Sequence, residues 1–531
     1  MARTHVSRGA TGVATVSRVS RVVVIGAGVG GLATAARLAA LGHEVTVLEA
    51  GRRIGGKLGT YERDGYVFDT GPSLVTMPQV FEDLFAATGA PLADTIDLEQ
   101  LDVACRYTFP DGTGVDLPGR IDEIPAALDA ALGEGTGAQW KAFTDDAAAI
   151  WDVAEQPFLR SPIGRGTLAA MSSDTANLTT IAPWLSLRQF GARRLTDPRL
   201  RAMLDRYATY TGSDPRRAPS ALATVPYAEQ AFGSWYVPGG LRMLGAAIAD
   251  RARSLGAEIR TGVRVASIEH DGDRVTGVVT ADGEQLAADV VVANADASQV
   301  YGELVAGPRA RRRLRALRRA TPSLAGFVLL LALENLPAEL REKAAHHRVL
   351  FPRDYDDEFD AVFGVGRCAR WHGGGGPRPV DDPTVYVTAP QDASIVPGGA
   401  DGLAAGEGAW FVLVNAPRHD PAHGADWDRP GLAEAYGRRI LDVMASRGLD
   451  VRPYVRWVET RSPADLERST LAPGGAIYGT SSNGASSAFL RPANRGPLEG
   501  LYLVGGSAHP GGGLPLVTLS AEITAGLIGP A

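Results

Sequence analysis

Gly26, Gly28 and Gly31 stand in GxGxxG spacing between the apolar run VVVI (22–25) and a stretch of helical periodicity, LATAARLAAL (32–41). Glycines at those positions permit a tight strand-to-helix turn and let backbone N–H groups approach a pyrophosphate. The helix N-terminus adds partial positive charge to the same spot. Glu49 ends a second apolar run, EVTVLE, roughly 20 residues further on, where a carboxylate accepts hydrogen bonds from ribose hydroxyls. A bare glycine turn would need none of this register, so the spacing points to a bound dinucleotide.

Two further groups of residues bear chemistry. After Glu49 comes AGRRIGGKLGTYERDGYVFDTGPSL, with a second glycine pair, Gly55-Gly56, flanked by Arg52, Arg53 and Lys57, and then Asp69-Thr70-Gly71-Pro72. The basic residues either meet phosphate or solvate a loop. Near the C-terminus, LYLVGGSAHPGGGLPLVTLS holds His509 as its single histidine, placed to orient a cofactor, to act near a substrate, or to pack. No Ser-His-Asp order and no carboxylate pair stands out, so no general base is assigned, the catalytic residues are unknown, and His509 is a weak candidate.

The elements that must position these residues fall into three blocks. Residues 21–48 read as a βαβ unit. From Gly239 to Asp296 the pattern gives a helix with Leu241, Leu244, Ile248 and Leu255 on one face. Short strands follow, broken by the turn signals Asp271-Gly272 and Asp282-Gly283, and the block closes on the buried strand in DVVVANAD. Residues 501–528 read as strand, glycine turn and helix, with Pro515 in the first helical turn. Between them lie a helix-rich stretch, about 120–230, and a mixed stretch, about 300–490.

The expected fold class is therefore α/β: a Rossmann-type nucleotide domain in three discontinuous segments, 21–110, 236–300 and 495–531. An α+β second domain, 111–235 and 301–494, is inserted twice, and 1–20 form a disordered leader. No second strand–GxGxxG–helix unit is visible, so a separate nicotinamide domain is not expected.

Composition narrows the partners. The 531 residues are 45% hydrophobic and 21% charged, with a net charge of −7, which lacks the basic footprint of a nucleic-acid binder. Cys105 and Cys368 are isolated and have no CxxC spacing, so no metal site is expected. No apolar run reaches the ~18 residues of a membrane span; LAGFVLLLALENL (324–336) reads as a buried strand. The segment TTIAPWLSLRQFGARRL (179–195) mixes Trp184, Leu185, Leu187 and Phe190 with Arg188, Arg193 and Arg194, which suits either an interfacial helix on anionic lipid or a core-facing helix with a basic outer face. The acidic run DYDDEFD (354–360) reads as a solvated loop.

The N-terminal glycine motifs resemble the flavin-binding motif of the flavin amine oxidase and phytoene desaturase superfamily. LYLVGGSAHPGGGLPLVTLS, SAFLRPANRGPLEG and YVPGGLRMLGAAIADRARSLGAEIRTGVRVASI resemble the corresponding motifs of bacterial carotenoid desaturases and carotenoid oxidases. This resemblance covers most of the nucleotide domain, in order, and implies FAD. It places the cofactor-binding set at Gly26, Gly28, Gly30, Gly31, Glu49, Ala50, Arg53, Gly56, Lys57, Gly71, Pro72, Val263, Gly505, Gly506, Leu514, Pro515, Leu516 and Val517. Residues 514–517 would face the flavin pyrimidine through their helix N-terminus. Val263 would meet the adenine, although it also reads as an ordinary strand valine. Where many flavoproteins carry an Asp after the last strand, Gly505-Gly506-Ser507 stands, so ribitol contacts would fall to backbone or Ser507.

The resemblance implies an FAD-dependent carotenoid desaturase that takes hydride and proton from an apolar isoprenoid polyene. GGK (55–57), TGPSLVTMPQVFEDLF and PGGAIYG look closer to the hydroxycarotenoid 3,4-desaturases and carotenoid oxidases than to the plain phytoene enzymes. Oxygen or a quinone would reoxidise the flavin. The enzyme would be cytoplasmic and touch the cytoplasmic membrane peripherally, with no nucleic acid as partner. The alternatives are a flavin amine oxidase acting on a soluble amine, a carotenoid oxidase or isomerase, and a non-catalytic prenyl-lipid escort of the same fold.

Overall fold

A computed structural model describes residues 19–164, 175–366, 376–484 and 491–531. The chain enters on β1 (Arg21–Ile25), passes the glycine turn into α1 (Val29–Ala40) and returns on β2 (Glu44–Glu49). Strands β3 (Val103–Thr108) and β4 (Gly114–Pro118) lead into the helices α2 (Thr136–Ala154) and α3 (Pro198–Tyr207). Helix α4 (Arg242–Ser254) brings the chain back to β5 (Glu258–Thr261) and β6 (Val290–Ala293). Then come α5 (Pro308–Leu317), β7 (Ala325–Leu333), β8 (His347–Leu350), α6 (Tyr355–Phe363), β9 (Val385–Thr388), β10 (Gly408–Ala416) and β11 (Val455–Arg461). The chain closes on β12 (Leu501–Leu503) and α7 (Leu514–Ile528).

Five strands from the three sequence blocks form one parallel sheet in the order β12-β6-β1-β2-β5. Alternation within β1 explains its two covered faces. Val22 and Val24 pack with Leu32 and Leu38 of α1 and Leu244 and Ile248 of α4, whereas Val23 and Ile25 face Ile268, Val278 and Tyr301 on the other side. Leu32 is fully buried, and truncating such a side chain to alanine costs about 2–5 kcal/mol. The turns expected at Gly272 and Gly283 join three antiparallel strands, and both glycines have positive φ, 55° and 91°.

A seven-stranded sheet, ordered β11-β7-β10-β9-β8-β3-β4, forms the second module. Every residue of β7 is buried and the strand pairs antiparallel with both β10 and β11, which accounts for its unbroken apolar run. The division between modules differs from the expected 110: β3 pairs with β8 and β4, so the second module begins ahead of Val103. Sheet pairing decides this across more than 200 residues of sequence, where no local pattern reaches.

One local expectation changes, and one open alternative falls to the core-facing reading. The acidic run 354–360 is not a solvated loop. Asp354 caps α6, and the buried Glu358 accepts hydrogen bonds from Thr384 N–H at 2.6 Å and Asn415 Nδ2 at 2.6 Å. Asp360 pairs with Arg216 at 2.8 Å. In the 179–195 segment, Leu187 and Phe190 are core residues, and Arg188 and Arg194 hold Asp205 and Asp146 at 2.8 Å. Trp184 alone of its large apolar residues stays exposed, at 66%. Residues 1–18, Cys368 and the 487–490 part of the SAFLRPANRGPLEG motif lie outside the described residues.

Candidate functional site

The glycine turns converge at the carboxyl ends of β1, β6 and β12, the edge of an open parallel sheet where ligands bind. Gly26 has φ 97° and its N–H donates to the Leu48 carbonyl at 2.8 Å. A Cβ on Gly31 would fall 2.2 Å from the Gly26 carbonyl oxygen, and one on Gly30 would lie 3.2 Å from Gly505 Cα. Only glycine allows α1 to start so close to both neighbouring strands. Gly28, the N-cap of α1, forms a bridge with Gly55, whose N–H donates to Ala27 O at 2.8 Å. A Cβ on Gly56 would sit 3.2 Å from Gly28 Cα, so the second glycine pair rests on the first.

Glu49 reaches the same turn from the end of β2. One carboxylate oxygen accepts from Ala27 N–H and the other from Gly51 N–H, each at 2.7 Å. Ala50 beside it is exposed. Val263 is brought against Glu49, its N–H donating to the Glu49 carbonyl at 2.8 Å. Arg53 lies at the exposed rim, with Glu62 Oε1 3.4 Å from its guanidinium.

Lys57 takes a different direction from the rest. Its Nζ donates to the carbonyls of Ala476, at 3.1 Å, and Ile477. Burial lowers its pKa to about 8, with the Asp296 carboxylate opposing that shift. Gly71 is required by packing: a Cβ there would overlap the Lys57 carbonyl oxygen at 1.9 Å. Pro72 follows it, half-buried. Just before them, Asp69 accepts from Leu241 N–H at 2.6 Å and Arg242 N–H at 3.1 Å, anchoring this segment to the start of α4.

The closing loop completes the crevice. Gly505 is buried with φ 98°, and a Cβ on Gly506 would lie 3.6 Å from Gly512 Cα. Gly513 caps α7, and a Cβ there would meet nothing within 4 Å, so the approach to the helix N-terminus is open. Leu514, Pro515, Leu516 and Val517 form that first turn. Pro515 has no N–H, and the Val517 N–H bonds the Gly513 carbonyl at 3.0 Å, so donors from the start of the helix point outward. A glycine cradle, a carboxylate at the end of β2 and an open helix N-terminus suit a flavin dinucleotide.

His509 is brought under this loop in a packing arrangement. Its ring meets Phe158 edge-on, with centroids 5.0 Å apart, and Nε2 lies 3.0 Å from the Ser161 carbonyl oxygen. Burial pushes its pKa down to about 4, so the ring is neutral at pH 7. Ser507 Oγ accepts from Ala297 N–H at 2.9 Å.

Three site residues escaped the sequence reading. Asn294, which follows β6, donates from Nδ2 to the Gly26 carbonyl at 3.3 Å. A polar side chain directly after the run VVVA was its only signal. The buried Arg491 donates to the carbonyls of Tyr478 at 2.9 Å, Gly506 at 2.5 Å and Thr480 at 3.0 Å, and desolvation lowers its pKa to about 10. Tyr478 packs against Gly512, where a Cβ would fall 2.4 Å from its ring.

The second module adds a buried polar network. Arg206 donates to Tyr107 Oη at 2.9 Å and Tyr210 Oη at 2.7 Å, and Glu229 accepts from Tyr207 Oη at 2.7 Å and Tyr210 Oη at 2.9 Å. Between the modules a cavity of about 30 Å³ is lined by Asp69, Ser73, Tyr236, Arg242, Thr388 and Phe411. It has room for a water or two rather than for a long chain. Among the described residues no group of three or more His, Cys, Asp or Glu side chains is placed to hold a metal.

Comparison with known proteins agrees with this geometry. The family described as flavin containing amine oxidoreductase matches residues 29–357. A 4,4'-diapolycopene oxygenase from Methylomonas sp is 33% identical over 511 residues, 95% of this chain and 97% of that protein. A hydroxyneurosporene desaturase from Rubrivivax gelatinosus is 33% identical over 514 residues, 96% of this chain and 93% of that protein. Among solved structures, a triple mutant of putrescine oxidase superposes with a TM-score of 0.63 at 16% identity, covering 96% of this chain and 98% of that one, a likeness of fold. With its glycine crevice and matches along nearly its whole length, the chain belongs to the flavin containing amine oxidoreductase family and is an FAD-dependent oxidoreductase.

Proposed function

We propose that this chain is a carotenoid desaturase, which removes a hydride from one carbon of an apolar polyene and a proton from its neighbour to introduce a C=C bond. The observation that carries this reading is the likeness, over 96% of the chain, to a protein named hydroxyneurosporene desaturase. Bound FAD supplies the hydride acceptor, and a diffusing oxidant, oxygen or a quinone, takes the electron pair away.

In this reading the turn at Gly26, Gly28, Gly30 and Gly31 binds the pyrophosphate, and Glu49, with Ala50 beside it, holds a ribose. The Val263 carbonyl meets the adenine and Arg53 the rim of the nucleotide. Gly56, Gly71 and Pro72 lie along the cofactor. Gly505 and Gly506 give the ribitol room, and the open turn of Leu514, Pro515, Leu516 and Val517 stabilises negative charge on the pyrimidine edge. Lys57 and Arg491 add positive charge from beneath, held by backbone carbonyls. His509, neutral and packed on Phe158, positions the closing loop and is assigned no proton transfer.

The substrate is apolar, so it reaches the enzyme from a lipid phase at the cytoplasmic membrane. Among the described residues no helix is long and apolar enough to cross a membrane; in this reading the contact with that lipid is peripheral.

A second reading, oxygen insertion, is favoured by the 33% identity to a protein named 4,4'-diapolycopene oxygenase. Product mass separates the two. Purified holoenzyme is incubated with a hydroxylated acyclic carotenoid in detergent under isotopically labelled oxygen. Loss of two hydrogens without label is expected; incorporated label would establish the oxygenase. Turnover of putrescine with no change in the carotenoid would return the enzyme to amine oxidation.

A further inference from the structure

A dense run of positive charge lies on α5 and the turn after it, GPRARRRLRALRRA (307–320). Ala310 is buried, and Leu314 and Leu317 pack against the cluster that contains Tyr301 and Val300. At spacings of four and three these residues form one stripe and fix the helix to the flavin module. The arginines lie outside that stripe and are exposed.

Arg309 pairs with Asp273 at 2.7 Å. Arg311, Arg312, Arg313, Arg315, Arg318 and Arg319 are all exposed, and among the described residues no carboxylate forms an ion pair with any of them. Arg312, Arg315 and Arg319, at i, i+3 and i+7, run along the outermost ridge. Six unneutralised guanidinium groups within nine residues repel one another, in a chain whose net charge is −7. The N-terminal end of α5 adds further positive potential.

We infer that α5 is a docking surface for anionic lipid headgroups. The stretch contains no aromatic side chain on which a nucleic-acid base could stack. Its arginines spread over more than half of the helix circumference, which matches a diffuse negative field better than a shaped acidic groove on a protein. Charge alone holds the protein at the surface, since the apolar stripe of the helix is already buried beneath it. The inference stands apart from the catalytic reading, because it rests on charge and packing at a different part of the molecule.

The test uses the full-length holoenzyme and vesicle co-sedimentation. Binding to vesicles containing phosphatidylglycerol is expected at low salt, with release at 0.5 M salt and no binding to pure phosphatidylcholine. Replacing Arg312, Arg315 and Arg319 together by Gln should lower the affinity for the anionic vesicles about a hundredfold, at about fivefold per arginine. FAD content of the triple variant should match the parent and its unfolding temperature should not fall, because none of the three belongs to the buried stripe and their removal relieves like-charge repulsion. Equal binding of parent and variant, or no binding by the parent, would overturn the inference. So would a dimer at low salt that the triple variant abolishes, which would give the surface to a second copy, or binding to duplex DNA as tight as to the vesicles. Failure here leaves the product-mass result untouched, and the reverse holds as well.

Discussion

Asn294 and Gly505 occupy one another's space at the heart of the crevice. The Asn294 amide oxygen lies where a Cβ on Gly505 would come, 2.3 Å away, while Nδ2 of the same amide donates to the Gly26 carbonyl at 3.3 Å. One side chain thus spaces the first glycine turn from the last. Gly505→Ala should lower FAD affinity more than tenfold, through this clash and through a φ of 98° that costs an L-residue about 1–2 kcal/mol. Adding Asn294→Ala should recover part of the loss by removing the clash but not the strain. FAD titration of the two single variants and the double variant measures the coupling; additive losses would mean that the two side chains do not compete.

Glu49→Ala should weaken FAD binding about 10- to 100-fold, since a charge-assisted acceptor is worth about 1.5–3 kcal/mol. The variant also frees the Ala27 and Gly51 N–H groups that Glu49 now accepts from. The glycine turn is packed independently by Gly31 and Gly55, so the apo fold should persist, as circular dichroism would report. Unchanged affinity would remove Glu49 from the ribose site.

Gly512→Val should abolish FAD retention or turnover. The closing glycines suggest a steric conflict with the flavin ring, yet what crowds Gly512 is Tyr478, whose ring a Cβ would meet at 2.4 Å. Tyr478→Ala should therefore restore FAD occupancy to Gly512→Val at least in part. Occupancy and steady-state rates on the same samples check this. No rescue would return the conflict to the cofactor.

His509 makes stability depend on pH. Its folded pKa is lowered from about 6.5 to about 4 by burial, so between those values the unfolded chain binds the proton and the folded chain does not. The stabilising contribution is complete above about pH 6.5 and is lost as the pH falls towards 4. Buried His346, also lowered to about 4, acts in the same direction, while Asp205, raised to about 6, acts in the opposite one. The His509 share is isolated by comparing the parent with His509→Gln, which does not titrate. The gap in unfolding free energy should narrow between pH 7 and pH 5; a constant gap would mean that His509 titrates alike in the folded and unfolded chains.

Local chemistry carried a large part of this molecule in its sequence. The GxGxxG turn, Glu49 and the run VVVI declare a strand, a helix start and a carboxylate beside the turn within 30 residues, because steric and hydrogen-bond demands there are met by near neighbours. The unbroken apolar run of β7 likewise announces a strand buried on both faces. Folding in three dimensions decided what depends on distant partners. Asn294 acquires its role only because parallel pairing lays the end of β6 between those of β1 and β12. Val103–Thr108 joins the second sheet because β8, more than 200 residues later, offers it an edge. Glu358 becomes a buried acceptor because Thr384 and Asn415 close over α6, which no acidic run announces. Burial then sets the charge states: His509 is neutral and Lys57 is held at a lowered pKa because the surrounding residues exclude water, a property of the assembled fold that no spacing along the chain records.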